Sequence, residues 1–398
     1  MTDAQPVIRL KPKTDPRPLR RGAPWVFADE LVLDRRTRAL APGSLARLED
    51  AERQPLGRVA VNPASKIVAR MLDRDPAAEI GPAWFEGRIA RALALRARLY
   101  ETPFYRLVHA EADGLPGVVI DRFGDTAVLQ PNAAWADARS GEIAAAVRAA
   151  TGVSTVVLNG TGRARALEGL DEVTEVIAGA VDGPVPVPMN GATYMADLTG
   201  GQKTGLFYDQ RPNHAFAARL ARGARMLDVF THVGGFALAG LAGGAAQALA
   251  VDSSAPALDL ARQGAAATGL ADRFETRQGD AFGTLAALGQ EGAAFDLVVC
   301  DPPAFAPGKQ ALGQGLRAYE RIALLAARLV TPGGYLVLCS CSHAADLAKF
   351  RAASLRGIGR AGRQAQLLHT GFAGPDHPQH PALAESGYLK ALFFRLDG

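Results

Sequence analysis

The chain has 398 residues, 48% hydrophobic and 21% charged, which fits a folded protein of two or three domains and excludes a disordered one. No uninterrupted apolar run reaches the roughly eighteen residues of a membrane-spanning helix, and the opening MTDAQPVIRLKPK has no apolar core of a secretory signal. Its formal charge of +4 is concentrated at one end, where Arg9, Lys11, Lys13, Arg17, Arg20 and Arg21 face only Asp3 and Asp15 within residues 1–25. A basic arm on a balanced body points to a polyanion, with nucleic acid the first candidate. Three cysteines, Cys300, Cys339 and Cys341, are too few for a disulfide framework and fit a reducing cytoplasm.

Residues 1–75 read as a small β-domain. IRLKP, LARLEDA, LGRVAVN and KIVARML are short, alternating and broken by Pro, Gly or Asn. The spacing predicts a helix over 82–99, with Ile89, Leu93 and Leu99 on an apolar face and Arg88, Arg91 and Arg98 on a solvated one. Two strand-like runs with turns at Asp113-Gly114 and Gly124-Asp125 occupy 105–130. A helix at about 134–150 and the strand STVVLNG follow. Residues 76–185 thus read as a small α+β domain. The Pro/Gly-rich DGPVPVPMNGATY, 182–194, reads as a linker or domain edge.

Over 186–398, beyond about residue 200, apolar strand-like runs alternate with Ala/Leu-rich helices, the pattern of a parallel sheet covered on both faces. This is an α/β, doubly wound, Rossmann-like domain, and ligands bind such sheets beyond the strands' carboxyl ends. The first strand ends in LDVFTHVGGF, with Asp228 near its end and Gly234-Gly235 opening a helix. The second ends in AVDSS at Asp252, the third in QGD at Asp280, the fourth in CDPPAF at Asp301. This is not GxGxxG. Acidic strand ends without a phosphate loop suit a nucleoside lacking pyrophosphate, with Asp252 accepting ribose hydroxyls and Asp280 free to meet adenine. S-adenosylmethionine is such a nucleoside.

The sequence resembles the class I S-adenosylmethionine-dependent RNA methyltransferases. Within them it is most similar to the PUA-containing bacterial 23S ribosomal RNA cytosine-carbon-5 methyltransferases. The likeness rests on RRGAPWVFADEL (20–31), VHAEADGLPGVVIDRFGD (108–125), GGQKTGLFYDQR (200–211), DPPAF, SCS and GYLK. It implies a PUA-like domain at 1–75, the central domain at 76–185 and the methyltransferase at 186–398. It further implies that Lys203, Thr204, Phe207, Asp209 and Arg211 help close the cofactor pocket, that Asp228 and Gly234 flank the methionine part, and that Phe230 also meets the cofactor. Asp252 and Ser253 would lie at the ribose, Asp280 at the adenine, and Asp301 between the methyl group and the target base. The family often has an aromatic residue where this chain has His232.

Carbon 5 of cytosine is a weak nucleophile until a thiolate adds at carbon 6, so a cysteine is needed. Cys300 lies inside the apolar run FDLVVC. Cys339 and Cys341 share a face at the end of YLVLCSCS, with Cys341 nearer the ligand edge. The resemblance also puts the nucleophile in this SCS motif, and Cys341 is the choice. Asp301 is expected to hydrogen-bond ring nitrogen 3, and His343 is a candidate tuner of the thiol. His377 and His380, in GPDHPQHP, are too few for a metal site, and no metal is expected. Arg20, Arg21 and Trp25 are candidate RNA contacts, with Trp25 equally suited to a small core. The expected partner is ribosomal RNA, 23S by resemblance, with no membrane; oligomeric state is open, a homodimer being one arrangement. Two alternatives stand beside this. An exocyclic-amine methyltransferase usually has its aromatic residue directly after the Asx-Pro-Pro, whereas here Ala304 precedes Phe305. A non-catalytic RNA-binding assembly factor would not need the intact acidic strand ends.

Overall fold

A computed structural model describes residues 6–200 and 205–397. They form two compact units, one of residues 6–182, 198–200 and 376–384 and the other of 183–197, 205–375 and 385–397.

The first unit holds two five-stranded sheets. β1 (Val7–Arg9), β2 (Trp25–Phe27), β3 (Ser44–Glu49), β4 (Pro55–Val61) and β5 (Ile67–Asp73) are ordered β1-β3-β4-β5-β2, with only the β1–β3 pair parallel. β6 (Phe104–His109), β7 (Val118–Phe123), β8 (Thr126–Pro131), β9 (Thr155–Gly160) and β10 (Val173–Ala178) run in sequence order, with β8–β9 parallel. The helix Pro82–Leu99 begins with Pro82 in its first turn after Gly81 and buries Phe85, Ile89, Ala92 and Arg96, one stripe at helical spacing. Two side chains depart from the expectation for it. Leu99 is exposed, and Arg88 is not simply solvated but pairs with Asp73 and lies over the Trp84 ring. The helix expected over 134–150 is broken into Ala134–Asp137 and Ser140–Thr151.

Arg96 has no exposed side-chain surface. Its guanidinium donates to both Asp113 oxygens at 2.6 and 2.7 Å, to the Arg106 carbonyl at 2.9 Å and to the Asp376 carbonyl at 2.8 Å. A buried charge persists only when so paired.

In the second unit, β11 (Val185–Met189) and β12 (Ala192–Ala196) make an antiparallel hairpin in the segment expected to be a linker or domain edge, and the boundary between the two units falls at its start. Asn190 and Gly191 both have positive φ, 52° and 78°, the geometry of the two-residue turn that matches strand twist. The seven-stranded sheet comprises β13 (Arg225–Val229), β14 (Gln247–Asp252), β15 (Phe274–Gln278), β16 (Phe295–Cys300), β17 (Val330–Ser340), β18 (Gln364–Gly371) and β19 (Lys390–Asp397), ordered β15-β14-β13-β16-β17-β19-β18. The first five strands are parallel. β19 is antiparallel to both β17 and β18, so the wholly parallel sheet is corrected to a mixed one. β13 pairs with β14 on one side and β16 on the other, and the strand order reverses there, opening a crevice at the carboxyl edge. The helices Leu312–Ala327 and Leu347–Arg360 cover one core, packed so closely that a Cβ on Gly357 would overlap the Glu320 carbonyl oxygen.

Candidate active site

The parallel strands bring Asp228, Asp252, Asp280, Asp301 and Cys341 to one edge of the sheet, each at or just beyond its strand's carboxyl end. Asp228 is fully buried. Its Oδ2 accepts from Thr231 Oγ1 at 2.6 Å and from the Ala237 N–H at 2.9 Å, while Oδ1 is buried with no well-formed hydrogen bond among the described residues. Burial raises its carboxyl pKa to about 7, the Thr231 hydroxyl and the Ala237 N–H opposing the rise.

The turn after Asp228 is strained. Phe230 and His232 have φ of 63° and 53°, conformations that cost non-glycine residues about 1–3 kcal/mol each. It is fastened to β14 by the Thr231 N–H on the Val251 carbonyl (3.0 Å) and the His232 N–H on Asp252 Oδ2 (2.9 Å). Gly234, φ 89°, then opens the helix Gly235–Ala242, and a Cβ there would press on Leu238. Asp252 also accepts from the Ser254 N–H at 2.9 Å through Oδ1. Each of its oxygens keeps a lone pair. Ser253 is exposed beside it. Asp280 is exposed but not free, because its Oδ2 caps the helix Ala281–Gln290 by accepting from the Gly283 N–H at 2.8 Å.

Phe207 is half-buried, its ring 4.9 Å from that of His232. Asp209 is buried and accepts from the Tyr388 hydroxyl at 2.6 Å. Arg211 opens the helix Arg211–Leu220 with its guanidinium over the Tyr208 ring. Lys203 and Thr204 lie outside the described residues.

Asp301 and Cys341 are held by a network that the sequence did not reveal. Gln210 Nε2 donates to Asp301 Oδ2 at 2.9 Å, and the Asn213 amide in turn donates to Gln210 at 2.7 Å. The Cys341 thiol points to the Pro302 carbonyl at 4.0 Å. Its two serine neighbours are buried. Ser340 Oγ donates to the Tyr319 hydroxyl (2.8 Å), which also bonds Ser342 Oγ (2.7 Å), and Ser342 Oγ accepts from the Ala306 N–H (2.9 Å). Ser342 thereby ties the SCS segment to the residue that follows DPPAF, and Tyr319 fastens both serines to the helix Leu312–Ala327. On the other side Lys390 Nζ donates to the Ser342 carbonyl at 2.8 Å. Cys300 and Cys339 are fully buried and burial pushes both thiols up; Cys341 is partly exposed. His343 is exposed.

The basic-arm residues lie in the first unit. Arg21 is exposed, Arg20 pairs with Asp50 at 2.6 Å, and Trp25 is half-buried with its indole N–H donated to Glu111 at 2.8 Å. His377 is buried beside Asp376, and among the described residues no cluster of metal-ligand side chains occurs. None of the described helices is long and apolar enough to cross a membrane.

Residues 112–395 match the S-adenosylmethionine-dependent methyltransferase family, and residues 8–74 match a PUA-like domain. A ribosomal RNA large subunit methyltransferase I from Cronobacter sakazakii is 34% identical over 383 residues, 94% of this chain and 95% of that protein. Its namesake from Alteromonas mediterranea is 35% identical over 97% of both chains. Among solved structures, a putative SAM-dependent methyltransferase from Streptococcus mutans superposes with a TM-score of 0.82 at 18% identity, covering 98% of this chain and 100% of that one. A putative methyltransferase complexed with SAH gives the same TM-score and identity, covering 98% and 99%. The fold is therefore shared end to end. The residues here also fit the cofactor chemically, since the orphaned Asp228 oxygen beside the strained glycine turn is what a ligand bearing an N–H donor would satisfy.

Proposed function

Since this chain belongs to the S-adenosylmethionine-dependent methyltransferases that carry an N-terminal PUA-like domain, we propose that it methylates large-subunit ribosomal RNA, 23S in bacteria, forming 5-methylcytidine through a Cys341 adduct. The observation that carries this reading is the partly exposed Cys341 at the carboxyl edge, its thiol directed at the Asp301-Pro302 loop while Cys300 and Cys339 are sealed in the core. An exocyclic-amine methyltransferase has no use for a thiol there.

When bound, S-adenosylmethionine supplies an electrophilic methyl group on a sulfonium. Asp228, Phe230, Gly234, Asp252, Ser253 and Asp280 would hold it along the edge, with Phe207, Asp209 and Arg211 and the undescribed Lys203 and Thr204 closing over it. The Cys341 thiolate adds to carbon 6 of cytosine, and the electron pair of the 5,6 double bond becomes available at carbon 5. Asp301, its Oδ2 held by Gln210, would share a proton with ring nitrogen 3 as the thiolate adds, neutralising the negative charge that reaches the ring, and take it back when the thiolate leaves. After carbon 5 takes the methyl group, a base removes its proton, the double bond re-forms and the thiolate leaves. The target cytosine must be unpaired or flipped to reach the edge. The division at residues 75 and 185 assigns the first segment to RNA, with Arg20 and Arg21 on phosphates and the Trp25 ring as a stacking surface. Such an enzyme works in the cytoplasm.

The test uses labelled cofactor and 23S transcript containing 5-fluorocytidine, whose fluorine blocks the final elimination. An RNA-linked protein band that survives denaturation and disappears in Cys341→Ala is expected. Methyl transfer to ordinary transcript without any adduct on the fluorinated one overturns the covalent reading in favour of amine methylation.

A further inference from the structure

Lys390 is the first residue of β19 and stands opposite Ser340 in the β17–β19 ladder. It is 4% exposed. An ammonium has three donors, and among the described residues this one has a single acceptor, the Ser342 carbonyl at 2.8 Å, and no carboxylate within ion-pair distance. A buried cation so poorly matched is costly unless an anion forms beside it. The residue preceding that carbonyl's serine is Cys341.

We propose that Lys390 is the cation against which the Cys341 thiolate forms, a positioning residue that acts on methyl transfer through the nucleophile. The inference rests on Cys341 being that nucleophile.

Among the described residues, groups from four elements lie around the SCS segment. From the helix Leu312–Ala327 comes Tyr319, neutral and bonded to Ser340 and Ser342. From beyond β16 come Asp301 and the Pro302 carbonyl. Asp346 lies past the SCS segment, engaged by the Lys349 N–H at 2.9 Å and by the Lys349 ammonium. From β19 comes Lys390. The Pro302 carbonyl oxygen that the thiol meets opposes a thiolate, so a cation is required to offset it. Burial lowers the Lys390 pKa, and the negative charges of Cys341 and Asp346 counteract that, which is the reciprocal of the effect proposed on the thiol. Two N–H donors remain to turn toward the sulfur when it ionises.

The consequence is quantitative. An ordinary thiol with pKa about 8.5 is roughly 3% thiolate at pH 7; lowered by about one unit it is roughly 24%, an eightfold gain in nucleophile. The experiment follows the rate of iodoacetamide alkylation of Cys341 in the full chain against pH, read by mass on the peptide containing it. Cys300 and Cys339 are buried and serve as internal silent controls. It is run on wild type, Lys390→Met and Lys390→Arg, with methyl transfer measured in parallel and in Cys341→Ala. The wild-type midpoint is expected below 8.5 on the ordinary scale. Lys390→Met should raise it by about one unit and lower kcat about eightfold at pH 7, with recovery near pH 9, and Lys390→Arg should restore most of the loss. An unmoved midpoint in Lys390→Met, with cofactor binding intact, overturns the assignment. Should Lys390→Met fail to fold, the wild type alone decides, since a midpoint at or above the ordinary thiol value overturns it as well. Methyl transfer that persists in Cys341→Ala overturns the nucleophile reading, and the separate thiol titration keeps that failure distinct.

Discussion

Replacing Asp228 by Asn should move fold stability and cofactor affinity in opposite directions. Burial holds the folded carboxyl at about 7 against an ordinary 3.8. The folded state keeps its proton longer than the unfolded state, so wild type loses stability as pH rises from about 4 to about 7. That gap corresponds to about 4 kcal/mol once both states are ionised. An Asn amide oxygen still accepts from Thr231 and Ala237, but its NH2 then occupies the place of the partnerless Oδ1, at a cost of about 1–3 kcal/mol. At pH 8 the cofactor-free variant is therefore expected to be about 1–3 kcal/mol more stable than wild type. The difference should grow by about 1.4 kcal/mol per pH unit between pH 5 and 7 and then level off. Urea unfolding of both proteins across this range measures the difference, and calorimetry measures the weakened binding of S-adenosylmethionine. Parallel stability curves for variant and wild type from pH 5 to 8 would refute the reasoning.

Arg96→Met should cost about 3–5 kcal/mol in urea unfolding, because Asp113 loses both its bonds to a fully buried guanidinium. In Gly357→Ala the new methyl group meets the Glu320 carbonyl across two packed helices, and a loss of about 1–3 kcal/mol is expected in the same assay. Tyr319→Phe removes the hydroxyl shared by Ser340 and Ser342. It should lower stability by about 1–3 kcal/mol and reduce kcat while leaving calorimetric cofactor binding near wild type.

The acidic strand ends were legible because each is a local feature, an apolar strand running into an Asp, and a parallel sheet necessarily gathers such ends at one edge. The helix Pro82–Leu99 was legible for a similar reason, with Pro82 at its start and an apolar stripe. Periodicity did not say that Arg96 belongs to that stripe, since its partners Asp113 and Asp376 arrive from other elements. The hairpin at Val185–Ala196 was hidden by its prolines, although Asn190-Gly191 carried the turn signal. The antiparallel β18 and β19 were missed because a half-exposed edge strand such as QAQLLHTG shows no clean alternation. At the site, Gln210 meets Asp301 across 91 positions and Lys390 meets Ser342 across 48. No spacing rule reaches so far, and Asp280, which sequence left free, proved to be a helix cap.

The sheet order also fixes a sequence of events during synthesis. A ribosome delivers β13 through β17 first, and these can pair in parallel and shape the cofactor edge on their own. β18 cannot join them then, because its only neighbour in the sheet is β19, the strand made last of the seven. Insertion of Lys390–Asp397 between β17 and β18 closes pairings with β17 such as Tyr335 with Arg395 and Ser340 with Lys390, and brings the Lys390 ammonium to the Ser342 carbonyl in the same step. Pairings over such separations form slowly. A nascent chain is thus expected to bind cofactor before its thiol segment is held in place, and the reactive half of the centre is assembled only after the rest of the enzyme has folded.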